Sequence, residues 1–140
     1  MHFERSIDIA APAERVWEMV ADIERWPERI ETVDEVERLT PPPTGVGSRF
    51  RLKQPKLPEA EWEVTAWQAP TWFEWRQQSG GVTNLAGHRI EPLDGARSRL
   101  TLTIDLTGLF APIGGLMYRG LINRYMGIEA EGMKRAAESG

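Results

Sequence analysis

The stretch Arg99-Leu100-Thr101-Leu102-Thr103-Ile104-Asp105-Leu106 alternates polar and apolar side chains without a break. A period of two belongs to an extended strand with one face in a core and the other in water. Beyond it the pattern changes. Pro112 opens a segment running to residue 137 in which Met117, Leu121, Tyr125 and Ile128 recur at helical spacing, flanked by Tyr118, Ile122 and Met133. Arg119, Asn123, Glu131 and Lys134 fall on the other side. Five glycines (Gly114, Gly115, Gly120, Gly127, Gly132) lie within it. Each weakens a helix by about 1 kcal/mol relative to alanine, so tertiary packing must hold this one.

Working upstream, Ala86, His88 and Ile90 alternate with Arg89 and Glu91, and Phe73 and Trp75 with Glu74 and Arg76. Trp62, Val64 and Ala66 alternate with Glu61, Glu63 and Thr65, and Ser48, Phe50 and Leu52 with Arg49, Arg51 and Lys53. Residues 33–39 read as one more strand before the Pro41-Pro42-Pro43-Thr44-Gly45 loop, and residues 3–10 as the first. Pairing apolar with apolar faces predicts Val64 opposite Trp75, Ala66 opposite Phe73 and Glu63 opposite Arg76. The Asp94-Gly95 pair suggests a two-residue hairpin, but that would set Ile90 against Arg99. Placing Ile90 opposite Leu100 requires an odd loop with Gly95 or Ala96 bulged.

Between the first two strands lie two short helices. Pro12 begins one, with Val16, Trp17 and Val20 as its apolar face. Asp22 is expected to cap the other, which carries Ile23 and Trp26 and stops at Pro27. A strand, two helices, about six strands and a final helix are segregated elements, which is an α+β plan with an antiparallel sheet. One helix cannot cover a broad flat sheet. A twisted sheet curving round it buries both and leaves space where curvature outruns the side chains.

Composition narrows the function. The chain has 140 residues, the size of one domain spanning 1–140, with 41% hydrophobic and 27% charged residues. A net charge of −4 with no basic cluster argues against nucleic acid. There is no cysteine, hence no disulfide or thiolate metal site. The most apolar stretch, residues 106–126, is interrupted by Arg119, Asn123, Arg124 and glycines, so no membrane span is expected. The N-terminus shows no apolar signal segment, and a cytoplasmic location is the expectation. Six Trp in so short a chain stand out as core or pocket lining.

The runs Pro12-Ala13-Glu14-Arg15-Val16-Trp17-Glu18 and Ala21-Asp22-Ile23-Glu24-Arg25-Trp26-Pro27-Glu28 resemble the helix pair of the START-like superfamily, within its polyketide cyclase/dehydrase and lipid-transport (SRPBCC) group. Gly47-Ser48-Arg49-Phe50, Trp67-Gln68-Ala69-Pro70, Glu91-Pro92-Leu93-Asp94-Gly95 and Glu131-Gly132-Met133-Lys134-Arg135 match in order. The resemblance covers essentially the whole chain. It implies a helix-grip fold, a seven-stranded antiparallel sheet wrapped round the final helix with an apolar cavity between. Its members include lipid carriers, aromatase/cyclases and hydrolases with no shared catalytic motif, so no catalytic residue carries over.

The candidate ligand-binding residues are therefore those of inward parity: Phe50, Leu52, Trp62, Val64, Phe73, Trp75, His88, Ile90 and Leu102 on strands, facing Met117, Leu121 and Tyr125 on the helix. His88 is either a cavity-wall acid/base or a core histidine bonded to backbone. Glu129 continues the Tyr118–Ile122–Tyr125 stripe as a carboxyl poised in the pocket or a rim carboxylate paired with an arginine such as Arg89. Tyr125 presents its hydroxyl to a ligand or packs. No metal-ligand spacing, P-loop, dinucleotide fingerprint or G-x-S-x-G elbow occurs, and no cofactor is expected. The leading reading is a carrier of a small hydrophobic or aromatic molecule (lipid, polyketide-like or isoprenoid). The alternatives are a cyclase/dehydratase using His88 or Tyr125, and a protein-interaction module. Two or more convergent polar side chains in the cavity favour the enzyme, at most one the carrier, and a filled core with exposed Trp the interaction module.

Overall fold

The structure is a computed structural model that describes residues 1–139. Strands β1 (His2–Ile9), β2 (Glu35–Arg38), β3 (Arg49–Lys53), β4 (Ala60–Gln68), β5 (Trp72–Ser79), β6 (Val82–Pro92) and β7 (Ser98–Thr107) form a seven-stranded sheet in the order β1-β7-β6-β5-β4-β3-β2. Every pairing is antiparallel. Helices α1 (Ala13–Ala21) and α2 (Trp26–Arg29) come after β1, and α3 (Ala111–Met117) and α4 (Arg119–Glu138) close the chain. The inward face of the sheet grips α4. Phe3, Phe50, Leu52, Val64, Trp75, Leu100 and Leu102 from the strands form one buried cluster with Met126, Ala130, Met133 and Ala137 of α4. This is the helix-grip arrangement.

Face matching set the β6–β7 register. Ile90 lies opposite Leu100, and the pairing resumes from Pro92 to Ser98 across the five-residue loop 93–97, an odd loop despite the Asp94-Gly95 dipeptide. In the β4–β5 hairpin, Val64 faces Trp75 and Glu63 faces Arg76 as expected, but Ala66 faces Glu74 rather than Phe73. A bulge at Thr65 intervenes, and its hydroxyl donates to the Glu74 carbonyl at 3.2 Å. The extra residue puts Trp67 opposite Phe73 and against Trp17, with ring centroids 5.2 Å apart. An indole buries far more apolar surface than the Ala66 methyl, so the bulged register wins over strict alternation.

Two helical expectations are corrected. Asp22 does separate α1 from the next helical turn, but its carboxylate caps nothing. Its backbone ends α1, a single 3₁₀ turn spans Ile23–Arg25, and Pro27 lies inside the first turn of α2 instead of stopping it. The Asp22 carboxylate instead lies 3.4 Å from the Arg29 guanidinium. The C-terminal segment is not one helix. It breaks at Tyr118 (φ −101°, ψ 7°), so the face of α3 no longer continues that of α4.

Candidate functional site

Between the concave sheet, α3 and α4 lies a cavity of about 530 Å³, within the range of small-molecule sites. Leu52, Trp62, Trp75, Leu102 and Ile104 supply an apolar wall from the sheet, and Leu121, Ile122 and Met126 face them from α4. Trp26 of α2 closes the inner end, held by its indole N–H, which donates to the Val20 carbonyl at 3.0 Å. Polar side chains converge on the same space: Gln77, Asn84, His88, Tyr125 and Glu129.

His88 is 3% exposed and stacks flat on Phe73, with centroids 4.0 Å apart and planes 8° from parallel. Trp26 and Trp75 stand at 5.6 and 6.0 Å. These aromatic neighbours leave the imidazole no freedom to turn. Its Nε2 lies 3.4 Å from a Glu129 carboxylate oxygen, within ion-pair reach but longer than a good hydrogen bond. Its Nδ1 is buried without a hydrogen-bond partner, as are Trp62 Nε1 and Asn84 Oδ1 in the same wall. Buried polar atoms are ordinarily paired, so three orphans around one cavity mark a polar face. The Glu129 side chain is 21% exposed against 4% for His88, so the carboxylate is the outer member of the pair.

Glu129 does not pair with Arg89. Strand alternation sends Arg89 to the convex face, where its guanidinium lies 4.6 Å over the Trp72 ring. The Tyr125 hydroxyl donates to the carbonyl of Pro55 and so ties the β3–β4 loop, whose Gln54, Leu57 and Pro58 border the cavity, to α4. Among the described residues, no three His, Asp or Glu side chains cluster as metal ligands.

Of the inward-parity residues, Leu52, Trp62, Trp75, His88, Leu102, Leu121 and Tyr125 line the cavity. Phe50, Val64, Phe73 and Ile90 do not. They are sealed in the core at 0–1% exposure, behind Trp75 and His88 and under α1 and α2. Parity selects a face, whereas covering helices decide which part of that face stays open. Met117 is wrongly placed by helical spacing: the break at Tyr118 turns it outward, 74% exposed. Sequence reasoning missed Trp26, Gln77 and Asn84. The alternation of β6 could have flagged Asn84, which shares the parity of Ala86 and His88.

The comparisons agree with this geometry. The profile of the family described as polyketide cyclase / dehydrase and lipid transport matches residues 1–138. A Streptomyces halstedii protein named "Putative polyketide cyclase" is 35% identical over 90 residues, covering 64% of this chain and 74% of that one. The Zhui aromatase/cyclase from Streptomyces sp. R1128 superposes with a TM-score of 0.81 at 23% identity, over 99% of this chain and 93% of its own. A START superfamily protein from Mycobacterium smegmatis gives 0.78 at 18%, over 98% and 97%. Norcoclaurine synthase from Thalictrum flavum, bound to a transition-state analogue, gives 0.78 at 12%, over 98% and 93%. At these identities the solved structures share the fold, while the profile spans nearly the whole chain. The chain belongs to the polyketide cyclase/dehydrase and lipid-transport family.

Proposed function

We propose that the cavity binds a flat, oxygen-bearing, largely apolar molecule of polyketide type, and that Glu129, backed by His88, moves protons in its cyclisation or dehydration. The carrying observation is the His88–Glu129 pair at 3.4 Å, set in a wall otherwise made of indoles and aliphatic side chains. A pure carrier has no use for two titratable groups there, and removing them from water is costly. More than two polar groups converge, which favours the enzyme over the carrier, the leading reading of the sequence.

The chemistry requires no external oxidant or reductant. Glu129 takes a proton from a carbon between two carbonyls. The carbanion attacks a ketone carbon elsewhere in the chain, forming a C–C bond, and the ketone oxygen becomes an alkoxide that receives the proton back. Loss of a second C–H proton and of the hydroxyl, as one water, leaves the double bond. His88 is a positioning residue that shares the proton with Glu129 and is locked by its stack on Phe73. Trp62 and Trp75 offer faces on which a planar chain can fold.

The test feeds a linear poly-β-ketone thioester to the protein and follows aromatic absorbance. Glu129→Gln should slow turnover by about 10²–10⁴-fold, while a hydroxylated anthraquinone still quenches tryptophan fluorescence on binding. Unchanged turnover in Glu129→Gln, with binding intact, would return the reading to a carrier. No quenching in the wild type would remove the ligand site altogether.

A further inference from the structure

The run Leu109-Phe110-Ala111-Pro112-Ile113-Gly114-Gly115-Leu116-Met117-Tyr118 contains no charged side chain. Six large apolar residues in it are exposed: Leu109, Phe110, Ile113, Leu116, Met117 and Tyr118, with Leu109 at 83%. Buried Ala111 and Gly115 fasten α3 to the body, so the exposed side is a fixed surface. Phe110, Ile113 and Tyr118 also line the cavity, as does exposed Pro58. Residues both lining and exposed mark the opening, so this apolar face surrounds the cavity mouth. Single exposed apolar residues need no explanation, but a contiguous set does.

Charge selects the occupant. The chain has 21 Asp and Glu, yet none lies between Asp105 and Glu129. Of the two arginines there, Arg119 follows cavity-lining Tyr118, while Arg124 lies in a separate groove beside Glu31 and Glu131. Exposed Lys56 adjoins Leu57 and Pro58 at the same mouth. Among the described residues neither Lys56 nor Arg119 is in an ion pair. A chain of net charge −4 thus sets two unpaired cations beside this apolar face, against one exposed carboxylate, Glu59, next to Pro58. We infer that this face docks on an anionic lipid bilayer. The exposed side of α3 enters the interfacial layer, Lys56 and Arg119 meet lipid phosphates, and the cavity mouth opens toward the acyl chains. A second copy of the chain fits less well, because a twofold contact through α3 brings the same cations toward their own equivalents. No helix of the described residues is long and apolar enough to cross a membrane, so this is surface docking. The inference stands whether or not Glu129 is catalytic.

Flotation with phosphatidylcholine vesicles, with and without phosphatidylglycerol, tests it. The wild type should float with the mixed vesicles and come off as salt is raised. Leu116→Ser/Met117→Ser should keep its circular dichroism and thermal midpoint and lose flotation. Lys56→Gln/Arg119→Gln should weaken binding to mixed vesicles by about fivefold per charge, on the order of 25-fold together, and leave phosphatidylcholine unaffected. Glu129→Gln should float like the wild type, which separates failure here from failure of the catalytic reading. A wild type that never floats at low salt would overturn the inference. So would flotation indifferent to Leu116 and Met117, or sedimentation showing a dimer that the double serine variant dissolves without any vesicle binding.

Discussion

Replacing His88 by phenylalanine separates a histidine kept for chemistry from one kept for the core. The imidazole lies 4.0 Å from Phe73 and parallel to it, a stack that a phenyl ring preserves. A phenyl ring is only slightly larger than imidazole, and His88 borders the cavity of about 530 Å³, so overpacking is small. What disappears is Nδ1, buried without a partner. An orphaned buried polar atom costs about 1–3 kcal/mol. Against that stands the lost contact with Glu129, which at 3.4 Å is longer than a good hydrogen bond and worth about 1 kcal/mol. The variant should therefore be more stable than the wild type by about 1 kcal/mol. For a chain of this length that raises the thermal midpoint by about 4 °C. Urea titration should show a higher midpoint at unchanged slope, while turnover of the poly-β-ketone falls. Stability and activity would then move in opposite directions on one substitution, as expected where function holds a group the fold would discard. A loss of more than about 1 kcal/mol at unchanged slope would refute the reasoning, because Nδ1 would then be satisfied in the native protein and His88 structural.

Gly132→Ala should destabilise by about 1–2 kcal/mol in urea, since its new Cβ would sit 2.3 Å from the Arg29 carbonyl oxygen and overpacking exceeds the gain in helix propensity. Gly120→Ala, with nothing within 4 Å of its Cβ, should gain about 0.5–1 kcal/mol in the same titration. Asp22→Ala should cost about 0.5 kcal/mol or less, because no cap bond is lost and only the 3.4 Å contact with Arg29 disappears. The hydrogen bond that the His2 imidazolium donates to Asp105, then the one it donates to Glu4, holds it above the usual histidine value. The folded state therefore binds this proton more tightly than the unfolded chain. Its contribution is complete below the unfolded value and is lost as pH rises through the folded one. The urea midpoint of the wild type should drop between about pH 6 and 8 by more than that of His2→Gln.

Residues 99–106 and 86–90 made the strands, their inward faces and their register legible, because a period of two is local and a one-residue slip would expose every apolar side chain at once. That constraint placed Ile90 against Leu100 in spite of the Asp94-Gly95 signal. The bulge at Thr65 was not legible, since it depends on where Trp67 finds Trp17, on a helix far away in sequence. Nor was the break at Tyr118. The spacing of Met117, Leu121 and Tyr125 is helical, and only the docking of Ala111 and Gly115 apart from α4 turns Met117 to water.

The site divides the same way. Alternation and helical spacing alone put His88, Glu129, Trp62, Trp75 and Leu121 on faces that must meet, which is why periodicity suffices to name them. Whether each inward residue is core or cavity wall was decided only in three dimensions. Phe73 and Ile90 share the parity of Trp75 and His88, but α1 and α2 cover the first pair and leave the second open. The partner of Glu129 belongs with these. Parity excludes Arg89, yet it takes the curvature of the sheet round α4 to bring Nε2 of His88 within 3.4 Å. Sequence periodicity encodes direction relative to one element's own axis. Distance between elements depends on how all of them pack, and the chemistry of this cavity is set by distance.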